Sequence, residues 1–410
     1  MSAINAVDAA FRGEWSQLVA TLVRDLGDLS LAEDVASEAF VEASSRWHRD
    51  GIPRRPGAWL LTTARRKAID RIRRDRRFDD RREELTRLAE DPPEVPAEKL
   101  LDDQLALIFG CCHPALAPDA QVALTLRYVA GLSTAQIARA FLVPEATMAK
   151  RLVRAKRKIS AAAVPIEIPE RDRIAERLTA VCGVVYAVFT EGHASASGTA
   201  LLRGSLCDEA LFLADTLVEL LPDAPQVREL RALCRLTDAR RATRVDDDGL
   251  PVLLRDQDRS RWDRSKIEGG LADLATAQAL TSGGSASPYG PMAMLAGVHA
   301  AAPCYESTNW TAIVAVYDTM IRRDPNPVLA LNRAAAIAER DGPEAGLAAI
   351  DAADPDGALA TYHYLHGARA DLLARLDRTE ETVAAYTAAI ECCDNDAERR
   401  WLESRRAELT

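Results

Sequence analysis

The sequence lacks the features that identify several large classes of protein. It contains no uninterrupted apolar run of membrane-spanning length, and no signal peptide precedes the first predicted helix. No glycine-rich phosphate loop, Ser-His-Asp set or Cys-His pair stands out. The eight cysteines include no Cys-x-x-Cys pair and are scattered, which favours reduced thiols in a cytoplasm. We therefore predict a cytoplasmic protein that is not an enzyme, with no membrane contact, metal or cofactor.

The chain as a whole also has no excess of basic residues, because 62 acidic residues outnumber 52 basic ones and the net charge is −10. A chain of 410 residues can form about two to four domains, so the charge of each part is more informative than the total. Residues 1–164 contain 26 basic and 23 acidic residues, whereas residues 165–410 contain 26 basic and 39 acidic residues. The first part can therefore bind a polyanion although the whole chain is acidic.

The segment 131–159 predicts a helix-turn-helix. Ser133 followed by Gln136 is a capping box for the first helix, and Pro144 suits the start of the second. Met148 and Leu152 begin an apolar stripe at helical spacing, which Ala155 and Ile159 continue. Such a helix can lie in a DNA major groove. An αα-hairpin with a solvated basic face is the alternative. The polar and charged positions of the second helix are Glu145, Thr147, Lys150, Arg151, Arg154, Arg157 and Lys158.

A second basic segment occurs about eighty residues earlier. Residues 46–77 contain twelve Arg or Lys and three acidic residues. Pro56 marks a helix start, and an apolar residue every four positions predicts a buried stripe. The cations would then face a polyanion, while Trp59 is predicted to be core and Trp47 is left undecided. The stripe is Leu60, Ala64, Ala68 and Ile72, and the outward cations are Arg66, Lys67, Arg71, Arg73 and Arg74.

Three motifs in one order resemble bacterial sigma factors of the extracytoplasmic-function type. They are LAEDVASEAF (31–40), AWLLTTARRKAIDRIRRDRR (58–77) and AQVALTLRYVAGLS (120–133), the last leading into the helix-turn-helix. Ser37, Thr63 and Arg66-Lys67 depart from the family pattern. The resemblance implies an all-α fold with a sigma domain 2 helical bundle and a sigma domain 4 helix-turn-helix. It also implies a protein that binds core RNA polymerase and directs promoter-specific transcription initiation.

The family implies separate roles for these segments. Domain 2 would bind the beta-prime clamp helices of the polymerase and open the minus-10 element, and domain 4 would read the minus-35 element and contact the beta flap. Exposed carboxylates at i, i+4 spacing are usually only a solvated face, but in this family the corresponding helix binds core polymerase. The implied polymerase contacts are Asp34, Glu38 and Phe40, and the implied minus-10 contacts are Arg54, Arg55, Trp59, Arg66, Lys67, Arg71, Arg73 and Arg74. The implied minus-35 contacts are the seven residues 145–158 given above.

Composition and the resemblance together divide the chain into four parts. Residues 79–103 hold ten acidic residues, four basic residues and three prolines, which favours a flexible linker. Cys111, Cys112 and His113 are adjacent and make a poor tetrahedral chelate, so buried thiols are predicted there. The predicted parts are sigma domain 2 (1–77), an acidic linker (78–103), sigma domain 4 (104–164) and a helical C-terminal regulatory domain (165–410).

The tail predicts helical repeats from about residue 306. Residues 310–342 and 362–393 each run helix, turn, helix, and the turns at Asp341-Gly342 and Asp377-Arg378 are 36 residues apart, which approximates the tetratricopeptide period. A solenoid of this kind usually binds a peptide or protein partner. The tail could hold domains 2 and 4 closed, partly by charge masking of the basic segment, or could instead support the polymerase complex.

Residues 239–270 do not follow the repeat. An Asp-Gly turn between short apolar runs at 245–254 suggests a small hairpin. The charged residues that follow surround one tryptophan and form either a ligand or partner site or an ion-paired network that fastens a loop. This candidate tail site is Asp256, Asp258, Arg259, Arg261, Trp262 and Asp263.

Two other functional classes remain as alternatives. A stand-alone helix-turn-helix regulator with a sensory, protein-binding solenoid would need neither the 54–77 segment nor the acidic helix at Asp34 and Glu38. An enzyme fused to a DNA-binding domain would need a catalytic arrangement that the sequence does not offer.

Overall fold

The computed structural model describes residues 3–72, 97–141, 143–162, 164, 166–195, 199–285, 287–354 and 356–409. The described residues are helical with no β-strand, which confirms the predicted all-α class. The chain packs as two compact units, Met1–Ala187 and Val188–Thr410. No helix in the described part of the chain is both long and apolar enough to cross a membrane.

The first unit begins with a three-helix bundle. Its apolar stripe Leu60, Ala64, Ala68 and Ile72 is at most 2% exposed, as the four-residue spacing predicted. The second helix begins at Leu29, where the Asp28 carboxylate accepts from the Leu31 amide at 2.8 Å. The helices are α1 (Ala3–Leu26), α2 (Leu29–Asp50) and α3 (Pro56–Ile72).

The remaining helices of the first unit form the helix-turn-helix and its lead-in. The Ser133 capping box is confirmed, since Ser133 Oγ accepts from the Gln136 amide at 3.2 Å and the Gln136 side chain accepts from the Ser133 amide at 2.8 Å. The last helix of the unit continues into the second unit. The helices of this part are α4 (Ala97–Cys111), α5 (Pro118–Tyr128), α6 (Thr134–Ala140), α7 (Glu145–Ala161) and α8 (Arg171–His193).

The predicted linker boundary at residue 103 falls inside a helix, because α4 begins at Ala97. Two polar residues of this helix find partners on α1. Asp103 accepts hydrogen bonds from Thr21, at 3.3 Å, and from Arg24, while the Gln104 amide donates to Ser16 Oγ at 3.0 Å. These contacts fasten the end of the acidic segment to the bundle. Residues 73–96, which hold the rest of the predicted linker, lie outside the described residues.

The second unit is a run of helices that pack mainly against their neighbours. The predicted helix-turn-helix pairs at 310–342 and 362–393 are present, and Asn326 caps the second helix of the first pair by accepting from Val328 at 2.8 Å. The helices are α9 (Gly204–Leu220), α10 (Pro225–Asp238), α11 (Arg264–Leu280), α12 (Tyr289–Ala301), α13 (Trp310–Arg323), α14 (Pro327–Asp341), α15 (Pro343–Ala353), α16 (His363–Ala374), α17 (Thr379–Glu391) and α18 (Asp396–Ala407).

The predicted hairpin at 245–254 is reduced to one bridge between Val245 and Pro251. The turn is closed by Asp246, whose carboxylate accepts from Asp248 and Leu250, and Gly249 has a φ of +76°. The Val252 amide still donates to the Arg244 carbonyl at 2.8 Å, and the pairing ends where the short 3₁₀ turns follow.

Candidate nucleic-acid interface

Helix α7 buries one face and exposes cations on the other. Met148, Leu152, Ala155 and Ile159 are at most 7% exposed, which confirms the predicted stripe. Among the described residues, four cations of the exposed face have no carboxylate partner and no side-chain hydrogen bond. They are Lys150, Arg154, Arg157 and Lys158. An uncompensated row of cations on one helix face is suited to phosphates and to the acceptor edges of bases.

The start of α7 carries the other predicted contacts. Glu145 is exposed in the first turn, and Thr147 is half-buried. Arg151 approaches Asp119 of α5 at 3.8 Å, and the two side chains are 40% and 75% exposed. This end of the helix therefore offers an acceptor, a hydroxyl and a lightly held guanidinium, which are the groups that contact base edges.

One residue of α7 points inward and was missed from the sequence. The Lys156 ammonium lies 3.5 Å from Glu33 of α2, and Glu33 also accepts from Arg127 Nε at 2.6 Å and from the Tyr128 hydroxyl at 2.8 Å. Burial disfavours the Glu33 carboxylate, but Arg127, Tyr128 and Lys156 outweigh burial and lower its pKa. Burial and the neighbouring Glu33 raise the pKa of Tyr128. This cluster joins α2, α5 and α7.

The cations of α3 and the preceding loop divide into two groups. Arg54 and Arg66 are exposed and have no ion pair with another described residue, and Arg55 is also exposed. Lys67 instead bonds Glu42 at 2.7 Å, and Arg71 bonds Asp34 at 2.6 Å and Glu38 at 2.5 Å. Asp34 and Glu38, which were predicted to bind polymerase, therefore form ion pairs with Arg71, which was predicted to contact DNA. Arg73 and Arg74 lie outside the described residues.

The aromatic residues of this bundle are mainly structural. Trp47 is 3% exposed and meets the half-buried Trp59 edge-on, with ring centroids 5.7 Å apart. Phe40 is 6% exposed and packs against Phe11 at 5.0 Å and Trp15 at 6.0 Å. Phe40 therefore supports the Asp34–Glu38 surface from within the core instead of presenting its ring to a partner. Its spacing on the amphipathic helix is the signal that could have separated it from the two carboxylates.

A buried ion pair within the bundle was also missed. Arg65 is 1% exposed and donates to Asp25 Oδ2 from Nε at 3.0 Å and from Nη2 at 2.8 Å. Arg65 lies within the cationic run 65–67, where composition alone does not tell an inward arginine from an outward one. Its four-residue spacing from the buried Ile69 was the available signal.

The candidate tail site is largely a fastening network. Arg259, which is 6% exposed, donates to the carbonyls of His299 and Ala302, both at 2.8 Å, and lies 4.8 Å from the Trp262 ring centre. The Trp262 indole donates to Thr243 at 3.0 Å. The exposed acidic residues mostly cap turns: Asp258 accepts from the Ser260 amide at 2.9 Å, and Asp263 accepts from the Lys266 amide at 3.1 Å. Arg261 and Asp256 are exposed.

Several cavities of the second unit adjoin this network, and two of them extend to His299. One of about 310 Å³ is lined by aromatic side chains, including Tyr305, Trp310 and Tyr317, and by the ion pair of Arg255 with Asp371. A smaller one of about 130 Å³ is lined by Arg240, Trp262 and His299 with apolar walls. This mixture of aromatic, charged and apolar walls is typical of a binding pocket.

Arg240 is the unusual charge of the smaller cavity. No other described residue forms an ion pair or a hydrogen bond with the Arg240 guanidinium, although the Thr243 hydroxyl donates to its carbonyl at 3.0 Å. Burial, together with Arg244 and Arg259, lowers the pKa of Arg240 to about 9. Burial with Arg240 and Arg259 also lowers the pKa of His299 to about 4, so that imidazole is neutral near pH 7.

Comparisons with known proteins match three segments of the chain. Family models match "Sigma-70 region 2" at residues 14–78 and "Sigma-70, region 4" at residues 106–159. A family of unknown function (DUF6596) matches residues 177–278, which include the whole candidate tail site.

Relatives match either the whole chain or its first part. The chain is 39% identical over 409 residues to the uncharacterized protein R00370 of Rhizobium meliloti, covering 97% of this chain and 94% of the relative. It is 34% identical over 106 residues to the ECF RNA polymerase sigma factor SigK of Mycolicibacterium vanbaalenii, covering 25% of this chain and 54% of that protein. It is 27% identical over 183 residues to the probable ECF RNA polymerase sigma factor SigI of Mycobacterium tuberculosis, covering 43% and 62%. No solved structure matches the chain significantly.

Proposed function

Since this chain belongs to the extracytoplasmic-function RNA polymerase sigma factors and carries a C-terminal extension, we propose that its two cationic helices bind the two elements of a bacterial promoter. A sigma factor acts in transcription initiation, and its partners are core RNA polymerase and promoter DNA. Such a complex would form in the cytoplasm.

The observation that carries the proposal is the uncompensated cationic face of α7. Lys150, Arg154, Arg157 and Lys158 have no acidic partner in the described part of the chain, although several other exposed cations of the first unit do. On this proposal the start of α7, at Glu145, Thr147, Lys150, Arg151 and Arg154, reads the minus-35 element, and Arg157 and Lys158 bind phosphates.

The proposed minus-10 surface consists of the loop before α3 and the exposed side of that helix. Arg54, Arg55 and Arg66 are solvent-exposed, which suits a surface that tracks the phosphates of an opened strand. Asp34 and Glu38 are the proposed contacts with the beta-prime clamp helices. Their ion pairs with Arg71 are exposed, so a partner can replace Arg71 at little cost.

For the second unit we propose a regulatory module that binds a partner or ligand. The support is the pair of cavities beside the segment 251–263, one of which contains an arginine without a counter-ion. Binding there would change how readily the first unit binds core polymerase and promoter DNA. It would do so either by releasing the first unit or by completing the polymerase complex.

Reconstitution tests the proposal. The purified chain is mixed with core RNA polymerase and promoter-bearing DNA, and run-off transcripts are mapped. We expect the chain to co-elute with core and to start transcripts at defined positions. Tight binding of the chain alone to duplex DNA, without promoter-specific transcripts from the holoenzyme, would favour the stand-alone regulator instead.

A chain ending at Ala187 tests the regulatory role. More transcription than from the full chain supports masking by the second unit, and less supports a positive role. Co-elution of the shortened chain with core is the control that its fold is intact. Equal transcription from both chains would contradict the proposed regulation.

A further inference from the structure

Three potential metal ligands meet near the end of the second unit. His363 begins α16, Cys393 follows α17, and Glu398 lies in the first turn of α18. One ligand atom from each, an imidazole nitrogen, a thiol sulfur and a carboxylate oxygen, lies within 4.8 Å of the other two. His363 Nε2 and Glu398 Oε2 are 3.3 Å apart. Zinc bonds of about 2.0–2.3 Å place donor atoms about 3.3–3.6 Å apart, so these side chains need to close in by about 1 Å to surround one small cation.

The cluster leaves one buried polar atom without a partner. Cys393 is 2% exposed and Glu398 is 8% exposed. His363 Nε2 is shielded from solvent, and its direction toward Glu398 does not satisfy the geometry of a hydrogen bond. Buried polar atoms almost always have a hydrogen-bond or metal partner. An imidazole nitrogen that has none and lies beside a thiol and a carboxylate therefore indicates that a bound group is missing.

We propose that His363, Cys393 and Glu398 bind a zinc ion. Sulfur, nitrogen and oxygen donors in a buried, compact set favour zinc over the oxygen-binding cations magnesium and calcium. On binding, a Zn–S bond replaces the S–H bond of Cys393, and its proton passes to solvent. The thiolate and the carboxylate then balance the two positive charges of the ion, with the neutral imidazole as third ligand, and one coordination position stays open.

Neighbouring residues hold the ligands in place. The Tyr364 hydroxyl donates to Glu398 Oε1 at 2.6 Å, which leaves Oε2 for the ion. Asn395 accepts from the amides of Ala397 and Glu398 and donates to the carbonyl of Ser195 at 3.0 Å, which fixes the turn between Cys393 and Glu398. Among the described residues, the one hydrogen bond that the Cys393 thiol would give up is its 3.4 Å contact with the Asn395 carbonyl.

The spacing of these residues explains why no zinc motif is visible in the sequence. Cys393 lies thirty residues after His363, and the ligands come from two helices and the turn that follows α17, so no paired Cys-x-x-Cys or His-x-x-x-His pattern arises. The adjacent Cys392 does not belong to the set: its sulfur lies 3.9 Å from the Ala360 carbonyl. It is therefore a matched control.

The test uses the full chain, reduced and stripped with EDTA, then titrated with zinc. We expect one tightly held equivalent by elemental analysis after gel filtration, and a melting temperature raised by about 3 °C or more. Cobalt in place of zinc should give the charge-transfer absorption of a thiolate ligand. Cys393→Ser should weaken zinc binding at least about a hundredfold and abolish that absorption, whereas Cys392→Ser should bind as the natural chain does.

Circular dichroism separates loss of the site from loss of the fold. If Cys393→Ser is unfolded, His363→Gln, which keeps a polar side chain of similar size, should lose zinc while keeping its helical signal. The proposal is overturned if the natural chain retains no zinc, if a folded Cys393→Ser or His363→Gln retains it, or if Cys392→Ser loses it equally.

Discussion

The Tyr128 hydroxyl donates a 2.8 Å hydrogen bond to Glu33 Oε2, which joins helix α5 to helix α2. Glu33 lies in the segment matched by sigma-70 region 2, and Tyr128 lies in the segment matched by region 4. The two matched segments therefore pack on one another within one compact unit, and a single carboxylate receives charge from both Arg127 and Lys156.

Replacing Glu33 with Gln should lower the free energy of unfolding by about 1–3 kcal/mol at pH 7, because it leaves Arg127 and Lys156 without their carboxylate. The folded state lowers the pKa of Glu33, so its stabilisation is complete above the ordinary value of 4.5 and is lost as the pH falls through the folded value. The difference between the two chains should therefore shrink toward zero in acid. Urea unfolding at pH 7 and near pH 3 measures it, and an unchanged difference at both pH values would contradict this reading. The exposed Glu38→Gln is the control, expected to change stability by less than about 1 kcal/mol.

Arg154→Ala and Arg157→Ala should weaken holoenzyme binding in different ways. Loss of a base-reading arginine at 154 should cost about 1–3 kcal/mol at one promoter position and relax the preference there. Loss of a phosphate contact at 157 should weaken binding to all sequences and reduce the salt slope by about 1. Binding to a promoter-mutant series at two salt concentrations distinguishes the two. Equal effects across all sequences for both variants would assign both residues to phosphates.

Asp34→Asn combined with Glu38→Gln should reduce affinity for core polymerase about tenfold or more, because two carboxylates of the proposed contact are lost. Stability should change by less than about 1 kcal/mol, since both ion pairs with Arg71 are exposed. Titration of labelled chain with core polymerase measures the affinity. Glu42→Gln, which removes a neighbouring carboxylate bonded to Lys67, is the control. Unchanged affinity of the double variant would exclude this surface.

Arg259→Met should destabilise the protein, whereas Arg240→Met should not. Arg259 holds three acceptors, the carbonyls of His299 and Ala302 and the Thr308 hydroxyl, so its loss should cost about 2–4 kcal/mol. Arg240 has no partner in the described part of the chain and lies near two other guanidinium groups, so an apolar chain of similar length should leave stability unchanged or raise it. Thermal unfolding of both variants at pH 7 decides, and a marked loss of stability in Arg240→Met would show that its charge is compensated.

Much of the interface was predictable from local pattern. The apolar stripe at Met148, Leu152, Ala155 and Ile159 defined the buried side of α7, so its cations had to face outward. The same reasoning did not separate the buried Arg65 from the exposed Arg66, because the composition of a basic run does not show which of its side chains is buried. It also assigned Phe40 to a surface that the aromatic cluster with Phe11 and Trp15 covers.

Helical periodicity, caps and turns depend on residues a few positions apart, and for that reason the order of helices, the capping box at Ser133 and the two cationic helices followed from the chain alone. Partners distant in the chain were decided only by packing: Arg71 on Asp34 and Glu38, Lys156 on Glu33, and the cluster of His363 with Cys393 and Glu398. Charge and donor chemistry determine that such groups seek partners. The partners that they find depend on which faces of different helices are packed together in the core. That packing is not encoded by the spacing of residues within one helix.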